Sequence, residues 1–352
     1  MTAASFSSHP LWAEFLQQAA HIRSALAQTG RSEADGSPRE VIWSRDKVLL
    51  YRFRPLTGVL PAKVRPVLLT YALVNRPEIL DLQPERSLVR QLLAAGLPLY
   101  LIDWGRAEPA DRHLELSHYI EDYLDAAVGY LLESRRTSRV NLVGVCQGGT
   151  FSLCYCALHP KRIANLVTMV TPVDFHTPAD LLSKWARHLD TETLQRAGNL
   201  PGAALTALFL ALRPFRLMQQ KYVALLEQLG DPQALDMFQR MERWIFDNPD
   251  QAASAVAQFI RWFYQQNGLV TGTLELRGRR INLGKLHHPI LNIYATQDHI
   301  VPPAASRALR ELVGSDDYSE FGVDTGHIGL YVSRRSQDQV AARIGSWLQD
   351  RS

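Results

Sequence analysis

The chain has 352 residues, of which 46% are hydrophobic and 21% charged, with a formal net charge of +3. That length exceeds one average domain and suits a single α/β core carrying a large insertion in an ordinary soluble globular protein. So small a charge gives no reason to expect a nucleic-acid partner, and the pI of about 8.7 is merely compatible with an anionic, phosphate-bearing substrate.

Met1 to Ala20 has no basic leader region, and Glu14, Gln17 and Gln18 interrupt any apolar run, so no secretory signal is expected. Residues 10–29 carry the pattern of an amphipathic helix, and a polar connector follows through Pro38. Residues 41–44 and 47–53 read as an antiparallel strand pair, and 66–71 as a short apolar strand. A helix is expected over 87–95 and a buried strand over 97–103. Ile120, Tyr123, Leu124, Ala127, Val128 and Leu131 recur at helical spacing. Further strands are expected over 165–173, 289–296 and 318–321, and residues 344–348 belong to a C-terminal helix. Strands alternating with helices imply a mostly parallel sheet covered on both faces.

The alternation stops between Val173 and Pro289, where aromatic helical stretches such as Met241 to Phe246 and Phe259 to Tyr264 replace it. An independent interaction domain is one reading. A cap or lid is favoured, because the insertion begins and ends at C-terminal strand edges, where α/β active sites sit. The expected division is therefore an N-terminal helix and connector (1–38), a first core part (39–173), a cap (174–288) and a second core part (289–352). The apolar run 203–212, between Pro201 and Pro214, is too short to span a membrane, so no transmembrane segment is expected.

The strongest local signal is Arg139-Val140-Asn141-Leu142-Val143-Gly144-Val145-Cys146-Gln147-Gly148-Gly149-Thr150. An apolar, β-rich run enters a Gly-x-Cys-x-Gly turn and a helix-compatible run leaves it. This is the nucleophile elbow of an α/β-hydrolase fold, with cysteine in the usual place of serine. The glycines allow backbones to crowd the turn, and the helix N-terminus behind Cys146 favours a negatively charged sulfur. A lone cysteine is by default a buried structural residue, which is the competing reading. The other cysteines, Cys154 and Cys156, fall on the following helix with packing as their expected role. Three cysteines without a spaced framework argue against a disulfide scaffold and for a reducing compartment; Cys154-Tyr155-Cys156 is no metal-ligand spacing.

In this fold the order is nucleophile, acid, base. Asp298 follows the strand after the cap, and His327 lies between glycines in Gly326-His327-Ile328-Gly329, so Cys146, Asp298 and His327 have the right order. Asp298 is also compatible with an Asx turn. Asp174 is a rival acid, and His299 a rival base that is adjacent to Asp298 and expected to point away. His287 and His288 read as surface or loop residues. The oxyanion hole is expected from the backbone N–H of Gln147 and that of Val74, in the loop after Tyr71.

A cysteine exchanges one thioester for another at near-equal energy, whereas a serine would fall into a stable oxygen ester. The acyl-cysteine stays activated for a later hydroxyl, which suits acyl transfer in a site that excludes water. At this point the chain resembles the catalytic subunit of class III polyhydroxyalkanoate synthases. The resemblance rests on Tyr71-Ala72-Leu73-Val74-Asn75-Arg76-Pro77, Tyr100-Leu101-Ile102-Asp103-Trp104-Gly105, Gly144-Val145-Cys146-Gln147-Gly148-Gly149, Val167 to Phe175, Trp244-Ile245-Phe246-Asp247, Gln297-Asp298-His299 with Val301-Pro302-Pro303, and Gly326-His327-Ile328-Gly329. Thr325 stands where that family usually has a second glycine. Class IV catalytic subunits share most of these motifs.

The resemblance implies polymerisation of (R)-3-hydroxyacyl-CoA, with 3-hydroxybutyryl-CoA the expected monomer, and release of CoA. Cys146 would hold the acyl chain, His327 would take the thiol proton, and Asp298 would orient His327 or help activate the substrate 3-hydroxyl. It further implies a second, non-catalytic subunit in a hetero-oligomer or a homodimer, a cytoplasmic location on polyester granules, and no metal or prosthetic group, since the CoA thioester is itself the substrate. The alternatives are a cysteine-dependent α/β-hydrolase of the dienelactone hydrolase type and a non-catalytic granule-associated protein.

Overall fold

Eight strands form one sheet: β1 (Arg39–Arg45), β2 (Val48–Phe53), β3 (Val67–Thr70), β4 (Leu99–Asp103), β5 (Val140–Val145), β6 (Ile163–Met169), β7 (Ile290–Ala295) and β8 (Tyr318–Val323). The computed structural model describes residues 36–212 and 232–352. The helix expected over 10–29 and Pro214 lie outside the described residues. The strand order is β1-β2-β4-β3-β5-β6-β7-β8. β2 runs antiparallel to β1 and β4, and every other pairing is parallel.

The burial of this sheet follows from the two-residue period of a strand. Leu68 and Leu69, Leu142 and Val143, Leu166 and Val167, Ile290 and Leu291 are successive residues, yet all are buried. They therefore face opposite sides, and both sides are covered, as parallel strands require. The first of each pair packs with α2 (Asp125–Ser134) and α3 (Gln147–Leu158); the second packs with α1 (Leu88–Ala94) and with the C-terminal helix Arg334–Gln349.

Between β6 and β7 the described chain is mostly helical, with α4 (Leu181–Ala186), α5 (Thr191–Arg196), α6 (Gly202–Leu212), α7 (Pro232–Phe246) and α8 (Ala253–Phe259), followed by a short antiparallel ribbon of Glu275–Leu276 and Arg279–Arg280. The C-terminal helix is α9. Phe259 of α8 stands edge-on to Phe151 of α3, with ring centroids 6.3 Å apart, and edge-on to Phe175 at 5.9 Å. This aromatic cluster seats the inserted helices on the helix that leaves the elbow, and each such pair contributes about 0.5–1.5 kcal/mol beyond its buried area.

Two expected elements differ in detail. The helix expected from Ile120 begins with wider π-helical turns over His118–Leu124 before α2 starts. The strand expected to run to Val173 ends at Met169, because Val170 takes a positive φ of 42° while its N–H still donates to Ile293 O at 2.8 Å. A β-branched residue in that conformation redirects the chain.

Sequential strands fan out in opposite directions from the centre of this sheet. The chain passes from β3 to β4 on one side, then returns to place β5 on the other. The loops after β3 and β5 therefore diverge at a topological switch point, where α/β sheets open a crevice.

Candidate active site

Cys146 lies at the tip of β5 with φ 53° and ψ −125°, a strained conformation for a residue with a side chain. The turn is pinned from both sides: Cys146 N–H donates to Met169 O at 2.8 Å, and Gly149 N–H donates to Cys146 O at 2.9 Å. A Cβ on Gly144 would lie 2.4 Å from Gly149 Cα, and one on Gly148 would lie 2.1 Å from Thr70 O. Neither position can hold a larger residue, so the two glycines set the close approach of β5, α3 and β3 that raises Cys146 above the sheet. Cys146 is partly exposed, while Cys154 and Cys156 are fully buried in α3. Burial pushes the Cys154 thiol up to about 12. Replacing Cys154 or Cys156 with Ala should lower stability by about 1–2 kcal/mol and leave alkylation of Cys146 at its original rate. Thermal melts with a timed iodoacetamide reaction read both quantities, and a large loss of alkylation would refute the packing role.

His327 and Asp298 come together from the loops after β8 and β7. His327 Nδ1 lies 2.7 Å from Asp298 Oδ2, and both side chains are almost wholly buried. Asp298 Oδ1 accepts the N–H groups of Ile300 at 2.8 Å and Val301 at 2.9 Å, which fixes the carboxylate. Burial of His327 opposes its protonated form, but the charge and hydrogen bonding of Asp298 and Cys146 outweigh it, and its pKa rises to about 10. A protonated imidazole beside the sulfur is the partner a thiolate needs.

The rival residues go elsewhere. Asp174 Oδ1 accepts the His176 N–H and the Asn267 Nδ2–H, both at 2.8 Å, and so closes a turn. The ring on Asp298 Oδ2 is that of His327. His287 and His288 face the carbonyls of Gly314 and Pro160, each at 2.7 Å. Thr325 donates its N–H to Val323 O at 2.9 Å and accepts that of Gln297 at 3.0 Å, which ties the histidine loop to the Asp298 loop.

Three tyrosines around Cys146 escaped sequence reasoning. The hydroxyls of Tyr71, Tyr264 and Tyr331 are held well above their ordinary pKa, chiefly by burial. Tyr331 O–H lies 3.5 Å from His327 Nε2, too far for a strong hydrogen bond. The one available hint was its spacing of four residues from His327.

The loop after β3 carries the remaining site elements. Gln147 is the first residue of α3, and its Oε1 accepts the Leu73 N–H at 2.9 Å. Asn75 N–H donates to Asn248 Oδ1 at 2.9 Å. Val74, between them, is half-buried beside the elbow. Among the described residues no cluster of three His, Cys, Asp or Glu side chains could hold a metal ion, and no helix is long and apolar enough to cross a membrane.

Sheet order and elbow define an α/β hydrolase fold, and the family of that description matches residues 66–333. The structure of a hydrolase from Pseudomonas aeruginosa superposes with a TM-score of 0.54 at 15% identity, covering 90% of this chain and 99% of that one, which bears on the fold alone. The sequence likeness is narrower. The chain is 50% identical over 316 residues to the poly(3-hydroxyalkanoate) polymerase subunit PhaC of Allochromatium vinosum, covering 90% of this chain and 89% of the relative. It is 45% identical over 324 residues to the protein of the same name from Synechocystis sp., covering 90% and 85%. The chain belongs to the family of poly(3-hydroxyalkanoate) polymerase PhaC subunits.

Proposed function

We propose that this chain polymerises (R)-3-hydroxyacyl-CoA, with 3-hydroxybutyryl-CoA as the monomer, into polyester through an acyl-cysteine on Cys146. The observation that carries the reading is a cysteine at the elbow beside a buried His327–Asp298 pair, in a chain 50% identical over 316 residues to a PhaC subunit. The Cys146 sulfur attacks the thioester carbonyl, and the Gln147 and Val74 N–H groups stabilise the oxyanion. The intermediate collapses by breaking the bond to the CoA sulfur, which takes the proton held by His327. The 3-hydroxyl of a second acyl unit then attacks the acyl-cysteine, its proton passing to His327 as the ester bond forms and the Cys146 sulfur leaves. Asp298 orients His327 or helps activate that hydroxyl.

Residues 174–288 act as the cap. The edge-on contact of Phe259 with Phe151, on the helix that leaves the elbow, supports this role, since it seats the insertion close to Cys146. Exclusion of water there keeps the acyl-cysteine from hydrolysis. A second, non-catalytic subunit and the granule surface are the partners, within a cytoplasmic hetero-oligomer or homodimer; the word subunit in the relatives' name supports the first. Feeding 3-hydroxybutyryl-CoA, with and without such a subunit, should release CoA together with insoluble polyester. Steady release of free acid without polymer would identify a hydrolase instead.

The His327 pKa of about 10 fixes the sign of a pH effect. The proton it carries is the one the departing CoA sulfur needs. First-turnover CoA release should therefore persist through mildly basic pH and fall as pH rises through about 10. Asp298→Asn removes the main group raising that pKa, so the falling limb should move to lower pH. A limb that stays in place in Asp298→Asn would separate it from His327.

A further inference from the structure

The loop after β3 is laced to the insertion in reverse order of sequence. Trp244 Nε1–H donates to Arg76 O at 2.7 Å, Asn248 Oδ1 accepts the Asn75 N–H at 2.9 Å, and Gln251 Nε2–H donates to Leu73 O at 2.6 Å. From the other side Gln147 Oε1 accepts the Leu73 N–H at 2.9 Å, and Trp104 Nε1–H donates to Tyr71 O at 2.9 Å. Trp244, Asn248 and Gln251 are each at most 6% exposed. Buried polar side chains without partners are costly, so these three are held to their carbonyls and N–H groups. Gln251 is itself fixed, since its backbone exchanges both hydrogen bonds with Leu200, each 2.9 Å long. Asn75 adopts a φ of 59°, a left-handed conformation that asparagine tolerates better than most side-chain-bearing residues. Among the described residues, the laces reach Leu73, Asn75 and Arg76 and pass over Val74.

We infer that Gln147, Asn248 and Gln251 are positioning residues that aim the Val74 N–H at the oxyanion; this rests on the reading of Val74 and Gln147 as its donors. Fixing the peptide groups before and after Val74 leaves its own N–H with one direction. Gln147 serves twice, its backbone as a donor and its side chain as the spacer that sets the distance between the two donors. Asn248 and Gln251 belong to the insertion, so the oxyanion hole is complete only while the insertion is seated on the core. A donor displaced by about 1 Å loses about 10²-fold in rate.

The test uses the full chain, with first-turnover CoA release from 3-hydroxybutyryl-CoA as one readout. The second readout is alkylation of Cys146 by iodoacetamide, which forms no oxyanion. Asn248→Leu and Gln251→Leu should each lower kcat about 10²-fold with KM little changed and alkylation intact. Asn248→Asp, which keeps the accepting oxygen, should recover most of the loss. Wild-type kcat in Asn248→Leu, an equal loss in Asn248→Asp, or a joint loss of acylation and alkylation would overturn the inference, the last by revealing a role in folding alone. A wild-type chain that is alkylated yet releases no CoA would overturn the polymerase reading first and the inference with it.

Discussion

Cys146→Ala should abolish both CoA release and polymer formation, a fall on the order of 10⁶-fold, and Cys146→Ser should keep a trace at most. The sulfur sits at the end of the central strand, in a strained turn that holds it partly exposed, beside a buried imidazole with its pKa raised to about 10. A serine hydroxyl in the same place is much harder to ionise, and any ester it formed would be lower in energy than the incoming thioester. The next hydroxyl would then have no downhill step to take. The test is CoA release with the thiol reagent 5,5′-dithiobis(2-nitrobenzoate), with recovered polyester weighed in parallel. Circular dichroism should show both variants folded, since a change of one partly exposed atom leaves the packing of α3 intact. Substantial polymer from Cys146→Ala would remove the sulfur from the chemistry.

The parts of this molecule that could be read from sequence are those fixed by local pattern. Gly144 and Gly148 are legible because a Cβ at either would strike backbone atoms, so the elbow has no other composition. The two-sided burial of Leu142 and Val143 is legible because an unbroken apolar run fits a strand covered on both faces. The end of β6 is not legible because Val170 has a strong strand preference, and only its tertiary setting turns it to positive φ. The lacing of Leu73 to Gln251 was invisible for a different reason. The two residues lie 178 positions apart, and a backbone carbonyl leaves no mark in the sequence of what it will bind. Tyr71 and Tyr331 read as ordinary core aromatics, and only their convergence on Cys146 sets them apart.

Asp298→Asn should lower turnover by about 10⁴-fold, while Asp174→Asn should stay within a few-fold of the wild type. The difference lies in which oxygen each substitution replaces. Asp298 binds His327 Nδ1 through Oδ2 and the N–H groups of Ile300 and Val301 through Oδ1. Asparagine can keep the Oδ1 contacts and so hold the loop, but it turns an N–H toward Nδ1. His327 must then leave Nδ1 bare and carry its hydrogen on Nε2, facing Cys146, where it can no longer accept a proton. Asp174 uses Oδ1 for the His176 N–H and Asn267 Nδ2–H, its hydrogen bonds among the described residues, and asparagine reproduces that acceptor. Steady-state turnover of both variants, with melting temperatures to confirm the fold, decides between them; the reverse ranking would make Asp174 the acid. A finer division is available within Asp298→Asn. If it still releases one equivalent of CoA and then stops, acyl transfer to Cys146 survives and the carboxylate is needed when the 3-hydroxyl attacks. If the first equivalent is lost as well, its role is to orient His327 from the first step.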